Sequence, residues 1–206
     1  MSDPVTAEPA AVPQGSKAVR VNSRLAQVLD AAATQFAAKG FQATSIRDIA
    51  GAVGMLPGSL YCHFANKEEL LAAVHAEGVR RICDAVRLAA EARSDPWSRL
   101  EAACEAHLAA LLDDSAYAKV VTSVDPRSVP ELTHILIAQR DAYEGMFAGF
   151  IDALPLPPRT QRAALRLMLL GALNWAPTWY QPDGGQSPRS LARVFVRLLK
   201  APLAPG

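Results

Sequence analysis

Between Thr44 and Lys67 the chain concentrates side chains that donate hydrogen bonds or carry positive charge, in the run TSIRDIAGAVGMLPGSLYCHFANK. Thr44, Ser45, Ser59 and Tyr61 bring hydroxyls, Arg47 and Lys67 positive charge, and His63 an imidazole. Groups of this kind bind phosphate oxygens and the edges of bases. They do not assemble a catalyst. Ser59 stands in PGSLY rather than GxSxG, and no nucleophile–base set, phosphate loop or dinucleotide fingerprint appears along the chain. Cys62, Cys83 and Cys104 lack both CxxC spacing and a histidine at ligand distance, so no zinc site, disulfide framework or cofactor is expected.

Two short helices must position these groups. A tight helix-turn-helix needs a small residue where the helices cross, a residue tolerant of left-handed φ at the turn, and an apolar anchor on the second helix. Ala50, Gly54 and Leu60 fill those three places, with Ile46, Ile49 and Val53 as the inward face of the first helix and Pro57 at the first turn of the second. At 100° per residue, an inward Leu60 also turns Phe64 inward and leaves Gly58 and Cys62 on the opposite face, flanked by Ser59 and Tyr61. That outer face is shaped for the DNA major groove, with Gly58 allowing close backbone approach. His63, nearer the inner flank, is expected on a phosphate, and Lys67, opening the next helix, is expected to clamp another. Charge agrees: from residue 17 to 67, Lys17, Arg20, Arg24, Lys39, Arg47 and Lys67 face only Asp30 and Asp48, a balance of +4 in a chain whose net charge is +1.

The run from Leu25 to Leu71, containing FAAKGFQATSIRDIAGAVGMLPGSLYCHFANKEELL, resembles the DNA-binding domain of TetR-family transcriptional regulators. The resemblance implies operator contacts at Thr44, Ser45, Arg47, Ser59, Tyr61, His63 and Lys67. Two positions depart from the family pattern. Leu56 stands where Ser or Thr usually caps the second helix, at a cost of roughly 1 kcal/mol, and Cys62 stands where an aromatic is common, which bears on base specificity.

The rest of the chain reads as all-α. Of 206 residues, 50% are hydrophobic and 20% charged, and alanine, the best helix former, is abundant. The 15 prolines cluster, and the gaps between clusters are the helices. Residues 1–20 read as a disordered arm, 21–67 as the helix-turn-helix domain and 68–206 as a helical ligand-binding and dimerisation domain. Arg24 to Lys39 is amphipathic and stops at Gly40, and Asn66 caps a long helix with Glu68 and Glu69 in its first turn. The longest uncharged run, Leu167 to Pro182, contains two prolines and is shorter than a membrane span. The first 20 residues lack the apolar segment of a secretory signal, and a cytoplasmic location is expected.

Beyond residue 95, Trp97, Leu100, Ala103, Cys104, His107, Leu108 and Leu111 form one stripe, with His107 expected in the core or at a pocket edge. The last two helices are apolar beyond what one core can cover. Leu169, Leu173, Leu191, Phe195 and Leu198 are therefore expected in a twofold homodimer interface, with Val196 off the stripe. A dimer matches palindromic double-stranded DNA, and in the TetR family the last two helices usually form the interface. Candidate ligand contacts are Trp97, Tyr117, Arg140, Tyr143, Met146, Phe147, Arg166, Asn174, Trp175 and Trp179, each with plain core packing as the competing reading. LLGALNWAPTWYQPDGGQSP, with PEL and QRDAYE upstream, resembles a TetR branch that regulates fatty-acid, steroid and aromatic catabolism, several members of which respond to acyl-coenzyme A thioesters. On that resemblance Arg140 and Arg166 pair with an anionic group at the pocket mouth. The expectation is a non-enzymatic repressor released from its operator by a hydrophobic effector. The competing reading is a helical lipid or acyl carrier, or an enzyme, with a vestigial DNA-binding motif.

Overall fold

The computed structural model describes residues 15–124 and 129–201. Among them every regular element is helical: α1 (Gly15–Ala43), α2 (Ile46–Ala52), α3 (Pro57–Tyr61), α4 (Lys67–Glu91), α5 (Pro96–Leu111), α6 (Ala116–Ser123), α7 (Thr133–Asp152), α8 (Arg162–Trp179) and α9 (Pro188–Lys200), with a single 3-10 turn at Pro130–Leu132. Residues 1–14 of the expected arm lie outside the described residues, whereas 15–20 are helical and form the first turns of α1. Gly40, at φ +79°, breaks α1 where its amphipathic pattern ends, and a last turn follows to Ala43.

Short polar side chains set the helix starts. Ser45 and Asp48 cap α2 reciprocally, with Asp48 N–H donating to Ser45 Oγ (3.2 Å) and Ser45 N–H donating to Asp48 Oδ2 (3.1 Å). Asn66, Asp95, Ser115 and Ser187 each accept from the backbone N–H three residues on. Leu56 gives α3 no such bond, as its side chain requires. At the end of α7, Arg162 of α8 donates to the carbonyls of Ile151 and Leu154, tying the two helices together.

Two cores share α4. Val28, Ala32 and Phe36 of α1, Ile49 and Ala50 of α2, and Leu60 of α3 pack with Leu70, Leu71 and Val74 from the first part of α4. Ile82 and Val86, further along α4, belong to a second core built from α5, α7, α8 and α9. The division therefore falls inside α4, beyond the proposed boundary at Lys67. Tyr117 and Val120 of α6 join the first core.

The structure corrects the expected dimer face. Leu169, Leu173 and Leu191 are buried at 2%, 0% and 3% exposure within the single chain. In α9 the small Ala192 decides the register: it turns inward with Leu191, Val196 and Leu199, leaving Phe195 half-buried and Leu198 outward. The large apolar residues that do face solvent on these two helices are Leu167, Met168, Trp175 and Trp179 on α8 and Leu198 on α9. No helix among the described residues is long and apolar enough to cross a membrane.

Candidate nucleic-acid interface and ligand cavity

At the free end of the first core, Gly54 takes φ +63° and turns the chain from α2 into α3. Leu60, 1% exposed, pins α3 inward, so Gly58, Tyr61, Cys62 and His63 are exposed and Ser59 is half-exposed. Ser59, Cys62 and His63 line a shallow groove of about 420 Å³ together with Gly54, Leu56 and Arg24. Arg24 is a cation that the motif alone did not bring to this face. Arg47 and Ser45 are exposed on α2, and the Ser45 hydroxyl donates to Asp48 Oδ2 (2.8 Å).

Two expected operator contacts are engaged within the chain. Thr44 is 2% exposed, and its hydroxyl donates to the carbonyls of Gly40 (2.8 Å) and Gln35 (3.2 Å), closing the kink in α1. Lys67 Nζ donates to the carbonyls of Phe41 (2.8 Å), Thr44 (3.0 Å) and Gln42 (3.5 Å) and lies 4.3 Å from the Phe41 ring centroid. The ammonium thereby caps the carbonyl end of α1 instead of reaching outward. Lys67→Met, which keeps the stem, is expected to lower stability to urea by about 2 kcal/mol. Unchanged stability with weakened DNA binding would restore the phosphate reading.

A cavity of about 360 Å³ opens between α4, α5, α6, α7 and α8. Of the sequence candidates, Arg140, Tyr143, Asn174 and Trp175 line it. The others do not. Tyr117 sits in the first core and donates to Asp30 Oδ1 (2.9 Å), because α6 turns its other face to the cavity. Trp97 packs on the second core, 5.7 Å from Lys200 Nζ, and Phe147 is fully buried against the Tyr143 ring. Met146 lines a separate cleft with Arg99, Arg166 lies with Arg162 in another beside α7, and Trp179 is outside the lining. Arg140 is exposed and ion-paired to Asp141 (2.9 Å) and Glu144 (3.6 Å).

Two histidines stand among the polar side chains of the cavity, with Thr122, Arg140, Tyr143, Asn174 and Thr178. His75, whose position among Leu71 and Val74 on the buried face of α4 concealed it as a candidate, holds Gln139 Oε1 at 2.6 Å through Nδ1. His107 is 1% exposed, and its Nδ1 is hydrogen-bonded to the Tyr143 hydroxyl. Burial lowers the pKa of both, that of His107 to about 4, so both rings are neutral at pH 7. The unfolded chain binds protons to these groups from pH 6.5 downward while the folded chain resists, so the His107 contribution is complete above pH 6.5 and is lost as pH falls toward 4, and His75 acts in the same direction. Denaturant titrations are expected to show a loss of about 3 kcal/mol across that window from His107, and His107→Gln to flatten the slope.

Comparison with known proteins places both halves. Residues 28–74 match the family described as bacterial regulatory proteins, tetR family, and residues 93–203 match the tetracyclin repressor-like C-terminal domain. The HTH-type transcriptional repressor KstR2 of Mycobacterium tuberculosis (strain ATCC 25618 / H37Rv) is 54% identical over 52 residues, a match that spans 25% of this chain and only 26% of that protein. KstR2 of Rhodococcus jostii (strain RHA1) is 27% identical over 196 residues, covering 89% of this chain and 92% of that one. Among solved structures, superantigen PfiT superposes with a TM-score of 0.74 at 31% identity, over 84% of this chain and 93% of that chain. AibR, solved with isovaleryl coenzyme A and operator DNA, has the same fold, with a TM-score of 0.68 at 22% identity over 85% of this chain and 97% of that chain.

Proposed function

The chain belongs to the tetR family of bacterial regulatory proteins, and we propose that this transcriptional regulator is a homodimeric repressor released from a palindromic operator by a hydrophobic effector bound in the α4–α8 cavity. The proposed operator contacts are Ser45, Arg47, Gly58, Ser59, Tyr61, Cys62 and His63, with Arg24 added from the groove they share. Each subunit offers one α3, so two subunits read half-sites about one helical turn apart.

The observation that carries effector control is the double life of α6. Val121 and Thr122 line the cavity, while Tyr117 and Val120 on the same helix pack in the first core. Tyr117 also donates to Asp30 of α1 and lies under Arg81 of α4, 4.0 Å from its guanidinium. Gly78 brings α6 close to α4, since a Cβ there would meet Val121 Cγ2 at 2.6 Å. A ligand that displaces α6 therefore acts on α1 and α4 together, and these carry α2 and α3. A coupling needs such a physically continuous element with two arrangements.

The resemblance of the C-terminal segment favours acyl-coenzyme A thioesters as the effector class, and AibR, which has this fold, was solved with such a thioester and DNA. The test is fluorescence anisotropy on the intergenic DNA beside the protein's own gene, with and without a panel of acyl-coenzyme A thioesters. Release by one chain-length class supports the reading. Binding that no thioester reverses removes the thioester class and leaves the DNA role standing.

A further inference from the structure

We propose that His107 recognises the effector by donating a hydrogen bond from Nε2 to a neutral carbonyl oxygen on an otherwise apolar ligand. The inference rests on reading the α4–α8 cavity as the effector site, and it adds what that site selects.

Four buried side-chain nitrogens or oxygens among the described residues lack a hydrogen-bond partner: Gln35 Oε1, Arg99 Nε, Arg166 Nε and His107 Nε2. Only His107 also lines the cavity. A buried polar atom left unpaired is costly, and a ligand that supplies its partner recovers that cost on binding. The other cavity imidazole has its partner in Gln139, so the unmet demand is confined to one atom.

The direction of the missing bond follows from Tyr143. Its hydroxyl is the group at His107 Nδ1. A phenol is the better proton donor of this pair and a neutral imidazole nitrogen the better acceptor, so the phenol proton points to Nδ1. Neutral imidazole carries one proton, which then resides on Nε2. Burial raises the pKa of Tyr143 and keeps that phenol un-ionised. Asn174 is the polar side chain that leans on the imidazole and opposes the effect of burial on its pKa, but it stops short of hydrogen-bond geometry at Nε2 and leaves that position to a better-placed acceptor. The cavity therefore presents a neutral donor and needs an acceptor.

Charge on the ligand is disfavoured by the same walls. Val79, Ile82, Leu111, Val121 and Leu136 are apolar, and the cation on the lining, Arg140, is exposed and engaged by Asp141 and Glu144. A carboxylate brought to His107 would lose its hydration without gaining a counter-charge. A ketone or a thioester offers the same acceptor oxygen without that cost.

Calorimetry with three phenylalkyl probes of similar size tests this: butylbenzene, phenyl propyl ketone and 4-phenylbutyrate. The ketone is expected to bind about tenfold tighter than the hydrocarbon, and the carboxylate more weakly than the ketone. In His107→Leu combined with Tyr143→Phe, which removes both polar partners and leaves neither orphaned, the ketone preference should vanish while butylbenzene binding persists. Retained DNA binding by the double variant shows that it is folded, and His107→Gln provides a second variant that keeps a hydrogen-bonding group. Equal binding of butylbenzene and the ketone by the natural protein, or a preference that survives the double substitution, overturns the proposal and leaves the effector cavity intact. If none of the probes binds while DNA binding is normal, both readings fall. Octanoyl-coenzyme A as a fourth probe separates the sources: a His107-dependent affinity assigns the carbonyl to thioesters, and ketone binding alone assigns it to free carbonyl compounds.

Discussion

Replacing Arg47 and Tyr61 together by alanine is expected to weaken operator binding about a hundredfold to a thousandfold while leaving the helical spectrum and melting temperature unchanged. Tyr61 is 55% exposed and Arg47 is exposed on α2, so neither side chain supports the first core. Each loses a contact worth about 1–3 kcal/mol when its partner is a base edge or a phosphate, and distant contacts add. The salt dependence distinguishes the two. Removing Arg47 from a phosphate should reduce the slope of log K against log salt by about one, whereas removing the uncharged Tyr61 should not change it. Anisotropy titrations at several salt concentrations read both quantities. Wild-type affinity in the double variant would move the operator contacts off this face.

On the proposed homodimer, Met168→Glu combined with Leu198→Glu is expected to leave a monomer at micromolar concentration. The two residues are 59% and 62% exposed, so the carboxylates cost the isolated chain little. Twofold symmetry would place four of them in one apolar interface, and burying unpaired charge raises the dissociation constant by at least about a thousandfold. Gly171 adds to this face of α8, with open space where a Cβ would stand, which allows a partner helix to approach closely. Sedimentation velocity measures the outcome. Leu173→Ala serves as the contrast: at 0% exposure within one chain, it should lower stability by about 2–5 kcal/mol without changing the assembly. A monomeric Leu173→Ala and a dimeric double variant would reverse the assignment of faces.

The parts of the fold that local chemistry controls were readable from the residues. Ala50, Gly54 and Leu60 announce the turn because each place tolerates few residue types, and Asn66, Gly40 and Pro96 punctuate helices for reasons internal to one turn of chain. What escaped was decided by distant segments. Lys67 looks like a solvent-facing cation until α1 delivers the carbonyls of Phe41 and Thr44, more than 20 residues away in sequence. Tyr117 reads as a cavity aromatic because the sequence does not say which face of α6 meets α1. In α8 and α9 the apolar residues surround much of the helix, so periodicity could not separate the buried Leu169, Leu173 and Leu191 from the exposed Met168 and Leu198. The alanine at 192 fixed the register of α9, and small residues weigh little in an apolar pattern. His75 lies on a buried stripe, where a histidine resembles core until a cavity opens beside it.

Effector control requires that ligand and DNA oppose one another through α6, and thermodynamic linkage makes that opposition reciprocal. The most direct measurement is therefore a calorimetric titration of octanoyl-coenzyme A into the protein, free and saturated with operator DNA. Coupling through α6 predicts that DNA weakens ligand affinity by the same factor by which the ligand weakens DNA affinity. Equal ligand affinity in the two titrations would show that occupation of the cavity does not reach α3, and would contradict it.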